Sequence, residues 1–443
     1  MKARWFLPLC LLAWLLLGQP RLPGDTGELA AVARALWGRE HNALDLAYRP
    51  PLPLLLAGWM PDARVGIGVV AMLGMALCVL PGARLARSFG GTGFTLAAAF
   101  YLAHPVLSHA LAGDSRGLGV ACLLFAVERT AARSAWAGVA VALAAACRAE
   151  NLAAAVLLPL AGWRAVAAFT LAMIPQVAWA SFHAGRLVLV PRGWEMAVAE
   201  LWTRLPRPVL HLEYGTTSFS TPARVALQAA GGSASTLPSL SLDLGLLARA
   251  LPPLLLVVAT VGAWWARGRA GLALFVVGSV GVLASAMPQG KALGEGMLLP
   301  TTVVALLLAD VATGRLLARL PRRYHQAMVP LAVIAGVALA ALSLPERRLP
   351  PAERTPATQA ARDWLAAHPE LPSVAIDGSF DALTSGGRVG TDEPSWNTPT
   401  RVVLTPRDDP WLVLTWLVPG DKQATLEAAW DNGEDWAAIV RVE

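Results

Sequence analysis

The chain has 443 residues, of which 56% are hydrophobic and 15% charged, with a mean hydropathy of +0.52; so few charges cannot cover a water-soluble globule of this length, which points to a membrane protein. The net charge of +6 would suit nucleic acid, but the cations flank apolar runs instead of clustering on one face, so no nucleic-acid partner is expected.

Residues 1–20 have a basic start (Lys2, Arg4), an apolar run from Trp5 to Leu17 and no small-x-small cleavage site before Pro20. They are read as an uncleaved first span in the plasma (inner) membrane, with the N-terminus in the cytoplasm. An external loop, 19–64, follows. Asp25 and Glu28 come directly after the span, at the membrane surface, where function usually explains a carboxylate. Asp25 can cap a helix, with Glu28 three residues on as in a capping box. Leu29, Val32, Ala33 and Leu36 then share one face of an amphipathic helix lying in the interface and ending near Gly38. Tyr48-Arg49-Pro50-Pro51-Leu52-Pro53 stops any helix and leads the chain back toward lipid. On the residues alone, the two carboxylates serve equally well as caps of a surface loop.

A first span, an acidic residue just outside it, a short interfacial helix and then Tyr-x-Pro-Pro-Leu resembles the first external loop of the polytopic GT-C glycosyltransferases. The branch in question contains the protein O-mannosyltransferases and the lipid A aminoarabinose transferases. The resemblance implies a sugar donor carried on polyprenyl phosphate and a catalytic base at the loop carboxylate, which is Asp25 here. Relatives often have two acidic residues in tandem. In this chain Thr26 follows Asp25 and the second carboxylate is Glu28, so Glu28 is assigned with Tyr48 and Arg49 to substrate binding.

Further apolar runs cover Val65–Leu80, Phe94–Leu111, Leu118–Val127, Ala135–Ala146, Leu152–Gly162, Ala165–Ala180, Ala250–Trp265, Ala270–Met287, Met297–Val311 and Ala327–Leu344. With the first they make eleven. Several fall short of the ~20 residues of a full span, so their boundaries extend into the flanks or their helices are sheltered within the bundle. With a cytoplasmic start, the inner segments carry Lys2, Arg4, Arg84, Arg87, Arg129, Arg133, Arg164, Arg267, Arg269, Arg315, Arg319, Arg322 and Arg323 against Glu128 alone. Merging Ala135–Gly162 into one helix would turn the later clusters outward. Two short helices are therefore expected, with Arg148-Ala149-Glu150-Asn151 as an external tip.

Two more external segments join the face that holds Asp25. In Ser108–Arg116 one span ends and another begins around Asp114 and Arg116. This position resembles the second acidic site of the same superfamily, where an Asp opens the fourth span and shapes the acceptor or phosphate pocket; on the residues alone it is a surface loop. At the tip, Arg148 can hold a lipid phosphate through two parallel hydrogen bonds, or Arg148 and Glu150 can simply pair with each other.

The loop 181–249 combines Trp194, Trp202, His211 and Tyr214 with arginines, which fits a segment on headgroups or a lid over a cavity. In the loop 288–300, Met297-Leu298-Leu299-Pro300 resembles the relatives' entry into an Ala/Leu-rich span. Their basic-aromatic pair is missing, and Lys291 is the candidate for its charge. Residues 346–443 change in character, and from Pro345 on they hold sixteen acidic and nine basic residues. They are read as a small α/β-like domain outside the cytoplasm, with a helix over Thr358–His368 and strands over Ser373–Ile376, Arg401–Thr405 and Trp436–Val442.

The expected fold is mainly α: a polytopic membrane helix bundle over 1–345 with a small soluble C-terminal domain. Cys10, Cys78, Cys122 and Cys147 lie in or beside apolar runs without a Cys-x-x-Cys pair, and no P-loop, G-x-G-x-x-G or H-E-x-x-H pattern occurs. No cofactor is expected, and a divalent metal is left open. The expected function is transfer of a sugar from a polyprenyl-phosphate donor to a lipid, glycan or protein acceptor, with membrane lipids as further partners. The alternatives are a transporter of lipid-linked intermediates, for which no internal repeat is visible, and a non-catalytic scaffold.

Overall fold

The computed structural model describes residues 51–61, 63–93, 116–184, 251–286, 298–321, 356–368, 373–375, 399–404, 423–431 and 436–443. Residues 33, 37, 104, 209–211, 247, 248, 250, 331, 334 and 338 are described as isolated pieces. Among these, three helices are long and apolar enough to cross a membrane: Val65–Ser88, Trp163–Phe182 and Leu299–Leu317.

The bundle begins with α1 (Pro51–Gly58), a helix inside what the sequence suggests is loop. Its prolines explain both readings: proline stops a preceding helix, yet in a first turn, where the N–H has no partner anyway, it is tolerated. Next come α2 (Ala63–Leu77) and α3 (Val79–Ser88), separated only at Cys78. Pro81 lacks the N–H that would bond the carbonyl of Leu77, and its ring crowds that carbonyl, which accounts for the break. The chain resumes with α4 (Arg116–Ala131) and α5 (Trp136–Cys147).

Past Cys147 the expected helix is instead a 3-10 segment, Ala149–Leu157, followed by the short α6 (Leu158–Ala161). Pro159 again supplies a reason. The carbonyl of Ala155 is taken by the N–H of Leu158, three residues on, because proline offers none at the fourth. Gly162, at φ 102°, turns the chain into α7 (Trp163–Ala184). Then follow α8 (Pro253–Trp265), α9 (Gly268–Ala286) and α10 (Leu299–Leu317).

Small residues set the helix spacing. A Cβ on Gly138 would lie 1.9 Å from the carbonyl oxygen of Ala165, and one on Gly262 1.9 Å from that of Leu308, so α5 meets α7 and α8 meets α10 backbone to backbone. The shared core draws on α2 to α6, the start of α7, α9 and α10, with Met75, Leu123, Leu124, Leu157 and Leu274 wholly buried. Helix α10 is central and largely buried, whereas most of α7 is exposed. On α7 the outward residues Leu171, Ile174 and Phe182 are apolar, as a lipid-facing helix requires.

At the C-terminal end of α4, Glu128 bonds Arg84 at 3.1 Å and Arg129 at 3.3 Å. The starts of α5 and α7 meet at Gly138, so exposed Trp136, Trp163 and Arg164 belong to this level too. Nearby, the loop after α3 is tied to α10: Arg315 donates to the carbonyl of Phe89 at 2.8 Å, and Thr92 donates to the buried Asp310.

The remaining described residues build a five-stranded mixed sheet. Its strands are β1 (Val209–His211), β2 (Ser373–Ala375), β3 (Thr400–Leu404), β4 (Gln423–Asp431) and β5 (Trp436–Val442), in the order β1-β4-β5-β3-β2. The inner pairings, β4 with β5 and β5 with β3, are antiparallel; the two edges are parallel. Helix α11 (Pro356–Ala367) covers the sheet and buries Ala357 and Ala361 against Val403, Ala428, Ala437 and Ile439. Arg401, 3% exposed, reaches back to the helix end, bonding the carbonyl of His368 at 2.8 Å and Glu427 at 2.6 Å.

Strand β4 is absent from the sequence reading because Ala, Glu and Leu dominate Gln423–Asp431 and favour a helix; pairing on both sides overrides that preference. Strand β1 comes from the long loop 181–249. Hydrogen-bonded strands of one sheet lie on one side of a bilayer, so 209–211 and 423–431 share a side.

Candidate active site

The turn after α5 is built by three residues. Arg148 is extended (φ −157°, ψ 129°), which ends the helix at Cys147. The carbonyl of Ala144 receives the N–H of Arg148 at 3.0 Å and the side-chain amide of Asn151 at 2.9 Å. Asn151 is 3% exposed, so this amide is satisfied as a second donor to that carbonyl in a place water does not reach. Gly119 makes room for it on α4, since a Cβ there would lie 2.4 Å from Asn151 Nδ2. The tip is thereby drawn against α4, close to Arg116, one turn earlier on that helix.

Three charges meet as a result. Glu150 Oε1 accepts from Arg148 Nε at 3.0 Å and from Arg116 Nε at 3.4 Å, and the side chains are 14–16% exposed. Taken by themselves, the two guanidiniums and the carboxylate sum to +1. Removing three charges this far from water is costly unless they are mutually paired, and two cations on one oxygen favour the ionised carboxylate. Beside the tip an apolar groove of about 520 Å³ opens between the 3-10 segment and α7, lined by Leu152, Phe169, Met173, Ile174 and Val177.

Of the residues singled out from sequence, the structure brings together Arg116, Arg148 and Glu150, and the pairing of Arg148 with Glu150 is realised with Arg116 added. Asp25, Glu28, Tyr48, Arg49, Asp114 and Lys291 lie outside the described residues. Of the interfacial helix expected after Asp25, Ala33 is helical and wholly buried, on the face assigned to it. It packs against α1 so closely that a Cβ on Gly58 would lie 2.2 Å from its carbonyl oxygen; Trp37 Nε1 bonds the carbonyl of Leu55 at 3.0 Å.

Sequence reasoning missed Asn151 and Gly119. Their signals were an amide directly after the charged tip and small residues flanking Leu118 at the start of a span. Among the described residues no group of three His, Cys, Asp or Glu side chains is placed to hold a metal ion.

No family model matches the sequence, and no curated protein matches it. Solved structures do. The crystal structure of ArnT from Cupriavidus metallidurans bound to undecaprenyl phosphate superposes with a TM-score of 0.53 at 15% identity, covering 100% of this chain and 98% of that one. The apo state of the same protein gives a TM-score of 0.46 at 15% identity, covering 99% and 97%. The chain therefore has the fold of that ArnT structure.

Proposed function

We propose that the protein is a membrane glycosyltransferase that moves a sugar from a polyprenyl-phosphate donor to an acceptor on the outer side of the membrane. The observation that carries this reading is the whole-length likeness of fold to ArnT, a protein solved with undecaprenyl phosphate bound. Two features of this chain support it. Arg148 and Arg116 converge on Glu150 at the tip, and the apolar groove beside Leu152 suits a prenyl chain arriving sideways from the bilayer.

In this reading Asp25 takes the proton from an acceptor hydroxyl as its oxygen attacks the anomeric carbon of the donor. The bond from that carbon to the phosphate oxygen breaks, its electron pair stays on the phosphate, and the configuration inverts. The donor phosphodiester carries one negative charge; the polyprenyl monophosphate that leaves carries up to two. Arg148, with Arg116 and with Lys291 or Arg49, meets that growing charge, as preorganised cations do in phosphoryl leaving groups. Glu28, Tyr48 and Asp114 complete the donor and acceptor pockets. Residues 1–345 form the transferase unit with the N-terminus in the cytoplasm, and 346–443 lie outside.

Full-length protein purified in mild detergent is to be extracted with organic solvent and the extract analysed by mass spectrometry. A polyprenyl-phosphate sugar is expected, and that donor should support transfer by the reconstituted protein. Protein that moves the labelled lipid across a vesicle bilayer and transfers no sugar would overturn the reading in favour of a transporter.

A further inference from the structure

The candidate phosphate site contains a carboxylate at its centre. Glu150 Oε1 is the shared acceptor of both guanidiniums, so any anion that engages Arg148 and Arg116 shares them with a fixed negative charge. Arg148 engages Glu150 through Nε alone, and Asn151, anchored on Ala144, holds the tip in register. The carboxylate is held by its two arginine partners, and its backbone lies in the first turn of the 3-10 segment directly before that anchor.

Resting on the donor reading above, we infer that Glu150 is a discriminating residue that lets the site tell donor from spent carrier by charge. The repulsion between a fixed charge and a ligand scales with the ligand's own charge. Glu150 therefore disfavours the monophosphate dianion about twice as strongly, in free energy, as the phosphodiester monoanion. Transfer turns the second into the first: the anomeric C–O bond breaks, the acceptor proton goes to the base, and the phosphate gains one negative charge. The two arginines stabilise that charge as it forms, and the neighbouring carboxylate keeps the product from remaining bound.

The test measures binding of two lipids to the full-length protein in nanodiscs at pH 8, where a phosphate monoester is a dianion: undecaprenyl phosphate and its methyl diester. Removing the charge with Glu150→Gln should tighten the diester about threefold and the monoester about tenfold, the second factor being close to the square of the first. Glu150→Ala gives the same ordering if the Gln variant does not accumulate, and Glu150→Asp, which keeps the charge, retains the wild-type ratio. Equal shifts for both lipids, or weaker binding of both, would overturn the inference. Arg148→Ala separates this from failure of the site itself. If it weakens both lipids, the phosphate site stands and only the role of Glu150 falls; if it changes neither, the site falls with it.

Discussion

Helix α4 carries an Arg-Glu-Arg cluster at each end, and the two differ in how far the arginines are exposed and in how they share the carboxylate. At its N-terminal end Arg116, Glu150 and Arg148 are 14–16% exposed, and both cations bond one carboxylate oxygen. At its C-terminal end Arg84 is 52% exposed, Arg129 34% and Glu128 20%, and the two arginines take different oxygens. The ends are separated by roughly 18 Å of helix at 1.5 Å per residue. The C-terminal cluster has the geometry of a membrane-surface bridge, in which Arg84 above all keeps much of its hydration. Burying the same charges adds little net stability, so at the other end stability is a poor explanation for their presence; the proposed function supplies another, the binding of a phosphate.

The contrast is tested most severely by Asp25, which belongs to the side of Arg148 in the proposed mechanism. Asn preserves its capping ability and nearly its shape, so Asp25→Asn should keep expression, folding and donor binding while lowering transfer about 10²–10⁴-fold. Near-normal transfer by the purified variant would take the base away from this face. Next in size is Arg148→Ala, expected to weaken donor binding about 10–100-fold, the worth of charge-assisted hydrogen bonds. Arg148→Lys should restore part of it, because Lys keeps the charge and loses the planar fork.

A smaller effect should follow from Gly119→Ala. The added methyl lands 2.4 Å from Asn151 Nδ2, so the amide has to move, at about 1–3 kcal/mol in thermal stability. Arg148 should then be carried away from Arg116, and donor binding should fall severalfold; an unchanged melting temperature would show that the tip does not depend on this contact. Smallest is Arg84→Ala at the exposed end, where about 0–1 kcal/mol of stability and less than about twofold in donor binding are expected. A loss there as large as that of Arg148→Ala would erase the distinction between the two ends.

The division of the chain at Arg148 was legible in sequence, because charge balance across the membrane forbids one long helix there and a run of Arg, Glu and Asn interrupts the apolar pattern. The face of Ala33 and three of the five strands were legible for a different reason: each follows from a local period. What was not legible depends on contacts between distant residues. Nothing in the spacing of Arg116 and Glu150 announces that they meet; Gly119 and Asn151 bring them together. The helix-like composition of Gln423–Asp431 hides a strand that exists only because β1 and β5 flank it. Asp310 stands alone in an apolar run, a signal that such a charge has a partner, but Thr92 could not be named without the fold.

The parallel pairing of β1 with β4 also constrains how the chain is made. Val209, Leu210 and His211 find their partners in Gln423, Ala424 and Thr425, more than two hundred residues later. Synthesis at about 5–20 residues per second leaves the first strand unpaired for tens of seconds, while α8, α9 and α10 are still to be inserted. The entropic cost of closing so long a loop grows only with the logarithm of its length, so the delay falls on the rate of assembly far more than on final stability. A chain that stops before Gln423 contains every helix of the bundle and leaves Val209–His211 with no strand to join.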